Sequence, residues 1–222
     1  MAGRRAKAAL YDALAATAKA LGSGRRAEIV DLLAQGERSV EELAGLIDQS
    51  VANTSHHLQV LLRAGLLRTR RQGTRVYYSV AGDDVTQLWL SLRDVATAHQ
   101  DRVSELADAY LGDRDGLEVM SRDELLERLA AGDVVVLDVR PASEFAAGHV
   151  AGAINIPAED ITEQLKRLPR GKQVVAYCRG PLCALSVEAV RALRGSGRRA
   201  VRLQDGYPEW AAAGLPTEKA SA

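Results

Sequence analysis

Only two cysteines occur in the 222 residues, five positions apart at 178 and 183. That count excludes a multi-bridge disulfide scaffold; in a reducing compartment such thiols are reactive or inert rather than structural. No apolar run approaches the length of a membrane span. The basic start, Met-Ala-Gly-Arg-Arg-Ala-Lys, is followed by no uninterrupted apolar segment and no cleavage-type site, so no secretory leader is expected. Internal repeats and low-complexity tracts are also missing. A cytoplasmic chain with no membrane partner follows as the expectation. What is present, 47% hydrophobic and 26% charged residues, fits a globular protein, and the length allows two domains of ordinary size.

The formal net charge of zero hides a split. Residues 1–82 hold 12 Lys+Arg and 7 Asp+Glu, a net of +5; residues 83–222 hold 17 and 22, a net of −5. A basic first part suits a polyanion, and the acidic remainder does not.

The first half has helical periodicity. Residues 6–21 form an Ala/Leu-rich helix, broken by Gly22-Ser23-Gly24, and 25–34 a second helix ending at Gly36. Ser39 stands three residues before Glu42, the capping-box spacing, and opens a short helix to Ile47. A turn at Asp48-Gln49-Ser50 leads to a helix over 51–63. Residues 66–70 and 74–80 flank Arg71-Gln72-Gly73 as a hairpin. A long helix is predicted over 84–110, with Val85, Leu88, Trp89, Leu92, Val95 and Ala96 on one face. The aperiodic segment 111–116 is the predicted linker, giving domains at 1–110 and 117–222. Beyond it, a capped helix at 122–130, strands at 134–139, 174–176 and 200–203, and helices near 159–168 and 184–195 alternate. That order argues for an α/β domain with a parallel sheet.

Two short helices joined by a tight turn and followed by a basic hairpin make a winged helix-turn-helix, whose second helix enters the major groove of DNA. In 51–63 the inward stripe is Val51, Thr54, Leu58, Leu61 and Leu62, which leaves Asn53, Ser55, His56 and Gln59 outward as donors and acceptors for base edges or phosphates. Arg70, Arg71 and Arg75 of the hairpin suit backbone phosphate or a minor groove. The segment SVEELAGLIDQSVANTSHHLQVLLRAGLLRTRRQGTRVYYSV resembles the ArsR-type winged-helix repressors over roughly residues 8–105. The resemblance implies a homodimer on double-stranded operator DNA, paired through the helices at 6–21 and 84–110. Family members that sense soft metals carry a cysteine pair near the helix at 40–47. Here that stretch holds Val40, Glu41, Glu42, Leu43 and Ala44, and on the dimer helix Asp94 and His99 fall on different faces. No metal site and no cofactor are expected.

Tyr-Cys-Arg-Gly-Pro-Leu-Cys, 177–183, contains both thiols. The apolar run Val174-Val175-Ala176 leads into it, and Ala184, Val187, Ala189, Val190 and Leu193 continue at helical spacing. A thiol between a buried strand and a helix start sits among unpaired N–H groups at the positive end of the helix dipole, which favours the thiolate. Arg179 adds a charge suited to an anionic donor. The pieces LDVRPASEFAAGHVAGAINIP (137–157), YCRGPLCALS (177–186) and LQDGYPEWAAAGLP (203–216) resemble, in order, a single rhodanese domain. That resemblance implies a Cys178 persulfide formed from a small sulfur donor such as thiosulfate or polysulfide. Cys178, Arg179 and Cys183 are the candidate catalytic residues, with Cys183 placed to resolve the persulfide or sulfenate as a disulfide or polysulfide. Asp138, Arg140 and Glu144 support the pocket wall, with Arg140 and Glu144 spaced for a local ion pair. His149 belongs to the same wall, and Trp210 anchors the last helix. The leading functional expectation is a transcriptional regulator, a repressor, that senses or transfers reactive sulfur. The alternatives are a thiosulfate-type sulfurtransferase with a regulatory DNA-binding domain and a soft-metal or arsenite-responsive repressor.

Overall fold

The computed structural model describes residues 2–112, 114 and 116–220. The chain divides into two compact units, Met1–Leu92 and Arg93–Ala222. In chain order the first unit runs α1 (Ala2–Leu21), α2 (Gly24–Leu33), β1 (Arg38–Ser39), α3 (Val40–Leu46), α4 (Val51–Arg63), β2 (Leu67–Gln72), β3 (Arg75–Val80) and most of α5 (Asp83–His99). The division falls within α5, and the chain continues through α6 (Asp101–Leu111), β4 (Val119–Met120), α7 (Arg122–Ala131), β5 (Val134–Asp138), α8 (Ala142–Ala147), β6 (His149–Val150) and β7 (Ile154–Asn155). After these come α9 (Ile161–Gln164), flanked by 3-10 turns, β8 (Gln173–Tyr177), α10 (Ala184–Gly195), β9 (Ala200–Leu203), α11 (Tyr207–Ala212) and β10 (Thr217–Glu218).

In the first unit α2, α3 and α4 close on one apolar core, with Ile29, Leu43, Leu58 and Leu61 fully buried. Ser39 starts α3 with the reciprocal bonds its spacing calls for: its hydroxyl accepts from Glu42 N (3.3 Å) and Glu42 Oε2 accepts from Ser39 N (2.7 Å). The hairpin of β2 and β3 is antiparallel, and β1 joins it to make the order β1-β3-β2. Trp89 Nε1 donates to Asp31 Oδ1 at 2.7 Å and pins α5 to α2.

In the second unit five parallel strands lie in the order β4-β9-β8-β5-β7. Apolar residues cover both faces, as a parallel sheet requires: Leu137, Val174, Ala176 and Val190 in one layer, Val136, Val175, Val201 and Trp210 in the other. Trp210 anchors α11, its indole donating to Pro216 O at 2.9 Å.

Three expectations need correction. The single helix at 84–110 is two helices: at Gln100 the backbone turns extended (φ −127°, ψ 100°) and α6 starts afresh. The helix near 159–168 is one α-turn between 3-10 turns. Val51 does not join the inward stripe; as the first residue of α4 it is exposed, whereas Thr54, Leu58 and Leu61 are buried. Of the predicted linker 111–116, Asp113 and Asp115 lie outside the described residues; Leu111 closes α6 and is buried. Among the described residues no helix is long and apolar enough to cross a membrane.

Candidate functional site

In the first unit, Ser50 caps α4: its hydroxyl accepts from Asn53 N at 3.2 Å, and its carbonyl accepts from the buried Thr54 hydroxyl at 3.0 Å. Those bonds turn Thr54 inward and leave Asn53, His56 and Gln59 exposed with Ser55 half-buried, so the four expected contact residues share an accessible face. His57 lies between that face and the core. Its Nδ1 is buried without a hydrogen-bond partner. Burial first, then the charges of Arg26, His56 and Arg25, hold its pKa below the ordinary histidine value.

The wing carries a correction. Arg70 is exposed but is held by Glu37, with Nε to Oε2 at 3.1 Å and a second bond from Nη2 to Oε1. It also lies 5.1 Å from the Tyr77 ring centre. Arg70's hydrogen bond, which outweighs the partial burial of Glu37, draws that carboxylate below its usual range. Arg71 and Arg75, near the hairpin tip, are exposed and have no ion-pair partner among the described residues. The exposed Arg68 of β2, which donates to the Ser79 hydroxyl at 3.1 Å, is a third wing cation without an ion pair among the described residues.

In the second unit the thiol loop starts where β8 ends, at the carboxyl edge of the parallel sheet, the edge at which α/β folds place their sites. Cys178 follows Tyr177 and is 1% exposed. Cys183 is the residue before α10. Their sulfurs are bonded to each other, with the Cα atoms 6.3 Å apart, within the usual span of a disulfide. Cys178 is therefore half of a cystine here, paired with the thiol that was expected to resolve it.

The loop is braced from several sides. Tyr207 N donates to Cys178 O at 3.0 Å and Cys183 N to Gly180 O at 3.2 Å. Arg202 Nη1 donates to Pro181 O at 3.0 Å. Gly206 presses against the loop so closely that a Cβ there would stand 2.3 Å from Gly180 N. Arg93 and Glu209 form a buried pair, Nη1 to Oε1 at 2.6 Å, beside Gly180. Burial alone would pull Arg93 down, but Glu209's charge and the hydrogen bonds to Asp94 and Glu209 keep its pKa above the ordinary arginine value.

Arg179 is not free to receive an anion. Its Nη2 meets Glu144 Oε1 at 2.6 Å and its Nε lies 3.0 and 3.1 Å from the two carboxylate oxygens. Glu144, expected to pair with Arg140, is bonded from the loop by Arg179, and its charge also acts on Arg140. Arg140, wholly buried, donates to Asp138 from its main-chain N (2.9 Å), Nε (3.1 Å) and Nη2 (2.6 Å), and to Gly148 O at 2.7 Å. Burial opposes its charge, but Asp138's hydrogen bonds and charge, together with the charges of Tyr177 and Glu144, hold it above the ordinary arginine value. The Tyr177 hydroxyl donates to Asp138 Oδ2 and accepts from Val150 N at 3.1 Å; burial, reinforced by Asp138's charge, lifts its phenol far above the usual range. Asp138, Arg140 and Tyr177 make a closed polar network behind the loop. His149 stacks on Phe145 at 3.6 Å between ring centres, with Nδ1 2.9 Å from Phe145 O. Among the described residues no three His, Cys, Asp or Glu side chains gather in a way that could hold a metal ion.

Gly206, Tyr207, Glu209, Arg202 and Arg93 were not singled out from the sequence as parts of the site. Four of them lie on or beside the DGYPEW stretch, whose turn residue followed by a helix start was the available signal; Arg93 has none.

A capped second helix with a basic wing, and a two-cysteine strand–loop–helix on a parallel sheet, define a winged-helix regulator joined to an α/β domain of the rhodanese-like kind. Comparison with known proteins agrees. Residues 23–69 match the bacterial regulatory protein arsR family, and residues 121–213 match the rhodanese-like domain. The HTH-type transcriptional regulator Rv0324 of Mycobacterium tuberculosis is 45% identical over 213 residues, 96% of this chain and 93% of that protein. A sulfurtransferase of Allochromatium vinosum is 33% identical over 95 residues, 42% of this chain and 88% of that protein. Among solved structures, the homodimeric winged helix-turn-helix DNA-binding domain Mb0332 of Mycobacterium bovis is 48% identical, covers 42% of this chain and 87% of its own, and superposes with a TM-score of 0.41. The chain belongs to the HTH-type transcriptional regulators in which an ArsR-family helix-turn-helix precedes a C-terminal rhodanese-like domain.

Proposed function

We propose that this regulator binds operator DNA as a homodimer, with DNA reading and pairing carried by residues 1–110, and that sulfane sulfur acting on Cys178 and Cys183 within 117–222 changes its affinity for that DNA. Its place of work is the cytoplasm, beside the DNA. The observation that carries the reading is the pairing of the two sulfurs across a loop of six residues that opens a helix.

The chemistry balances with a sulfane donor and needs no further oxidant. In the reduced protein, Cys178 thiolate attacks the outer sulfur of thiosulfate; a new S–S bond forms, the donor's S–S bond breaks, and sulfite leaves. Cys183 thiolate then attacks the inner sulfur of the Cys178 persulfide, forming the Cys178–Cys183 bond and expelling hydrosulfide. A polysulfide serves equally, leaving as a chain one sulfur shorter. Arg179, committed to Glu144, acts as a brace for the loop. The loop amides are the remaining positive dipoles for an anionic donor, Arg93 being held in turn by Glu209.

For pairing, Leu10, Tyr11 and Leu14 on α1 and Leu88 and Leu92 on α5 are exposed, at the i, i+3 and i, i+4 spacings of an apolar stripe. Stripes of this kind on the two helices expected at the dimer interface support a homodimer. Asn53, Ser55, His56 and Gln59 with Arg71 and Arg75 are the proposed DNA contacts, and Arg70 joins them only when it leaves Glu37.

The second reading, a sulfurtransferase that returns the persulfide sulfur to an acceptor, is favoured by the similarity to the Allochromatium sulfurtransferase. Thiosulfate–cyanide turnover separates the two. Turnover by Cys183→Ser equal to or above that of the wild type, without any effect of donor on DNA binding, supports the enzyme. Donor-dependent DNA affinity that requires both cysteines supports the regulator.

A further inference from the structure

We propose that the rhodanese-like domain itself touches DNA, through a basic cleft at the amino-terminal end of its sheet, opposite the thiol loop. The inference rests on the DNA-binding reading of this regulator and adds a second surface to it.

Although residues 83–222 are acidic overall, the stretch 164–204 holds ten Lys and Arg against one acid, Glu188. The fold sorts these cations. The segments just ahead of β8 and β9 enter the sheet from the same end and wall a cleft of about 520 Å³. Its lining includes Lys166, Arg170, Lys172, Arg198 and Arg199 and no carboxylate among the described residues.

Two of the five guanidinium groups and amines are fixed without being neutralised. Arg198 donates from Nη1 to Leu168 O at 3.4 Å and from Nη2 to Pro169 O, and Arg199 Nη2 donates to Gly171 O at 2.9 Å. Carbonyl acceptors orient a cation and leave its net charge in place. Lys166, Arg170 and Lys172 are exposed and make no hydrogen bond or ion pair among the described residues.

The carboxyl end of α10 points into this region, and its dipole accounts for a cation or two; five are more than it explains. Lys and Arg without carboxylate partners, walling a concave polar surface, fit a row of phosphates. In a protein whose other unit reads DNA, the duplex backbone is the polyanion at hand.

The test uses the full-length protein and a fluorescent 30-base-pair duplex of mixed sequence, with affinity measured from 50 to 200 mM salt. The triple variant Lys166→Gln, Arg170→Gln, Lys172→Gln is expected to bind roughly tenfold more weakly at 100 mM salt, with the slope of log affinity against log salt shallower by about two to three. Unchanged affinity and slope overturn the proposal. The pair Arg71→Gln and Arg75→Gln, measured alongside, reports on the winged helix: no effect there with an effect of the triple variant locates the error in the wing, not the cleft. Should the triple variant unfold, photo-cross-linking of the wild type to backbone-modified duplex decides alone. Cross-links to peptides within 165–172 or 196–199 support the cleft, and cross-links confined to residues 1–110 overturn it.

Discussion

Arg179 lies across from Glu144, its guanidinium bridging both oxygens of a carboxylate with 0% side-chain exposure. The residue that follows the loop's first cysteine is thereby a structural tie between the loop and α8. Arg179→Ala takes one cation away from a buried carboxylate, and breaking a buried pair costs up to about 3–5 kcal/mol. The double variant Arg179→Leu, Glu144→Leu removes both charges and is expected to recover most of that loss. Urea unfolding of the three proteins checks both statements; equal stabilities for Arg179→Ala and wild type contradict the tie.

In the wing, Glu37 restrains Arg70. Glu37→Gln releases that cation, and the expected result is tighter binding to duplex DNA with a salt slope steeper by about one. Arg71→Gln and Arg75→Gln each act in the opposite direction, by about one apiece, whereas Arg70→Gln in the otherwise native protein changes little. Anisotropy titrations over a salt series separate these outcomes.

His57 gives a pH dependence with a defined sign. Its folded pKa lies below the ordinary value, about 6.5 in an unfolded chain. Between those two values the unfolded chain binds more protons, so stability is full above about 6.5 and declines as pH falls toward the folded pKa. His57→Gln removes that contribution. The wild type is expected to lose more stability than His57→Gln between pH 7.5 and 5, measured by urea unfolding at each pH; parallel losses refute the assignment.

The local features of both units were legible because local chemistry sets them. Ser39 and Glu42 announce a helix start three residues apart, and the alternation of Thr54, Leu58 and Leu61 with Asn53, His56 and Gln59 marks two faces of α4. The thiol loop is likewise contained in seven consecutive residues. What escaped was long-range or too short to have a period. Arg179 and Glu144 are 35 positions apart, β1 is two residues long and exists only through its pairing with Tyr77 and Tyr78, and Arg93 reaches Glu209 only in the folded unit. Val51 was misplaced because apolar character alone was read as inward, whereas the Ser50 cap sets the rotation of the first turn and points it to solvent. The break at Gln100 falls in a polar stretch, His-Gln-Asp, with no Gly or Pro to mark it.

Close approach makes Gly206 a sensitive position. A Cβ there meets Gly180 N at 2.3 Å and Arg179 C at 2.5 Å, main-chain atoms that give way only if the loop moves. Gly206→Ala is expected to destabilise the second unit by about 1–3 kcal/mol and to speed alkylation of the reduced Cys178, which is otherwise buried. An alkylation rate equal to that of wild type contradicts the bracing role.

The most direct test of sulfur-controlled DNA affinity is the dissociation constant for an operator duplex, selected by the protein from random-sequence DNA, with the reduced protein and after treatment with polysulfide. Wild type is expected to form the Cys178–Cys183 bond by mass and to shift its affinity by 5- to 150-fold, the usual range for coupled sites, while Cys178→Ser and Cys183→Ser hold their affinity in both conditions. A wild type that forms the bond completely and binds the operator with unchanged affinity contradicts the account.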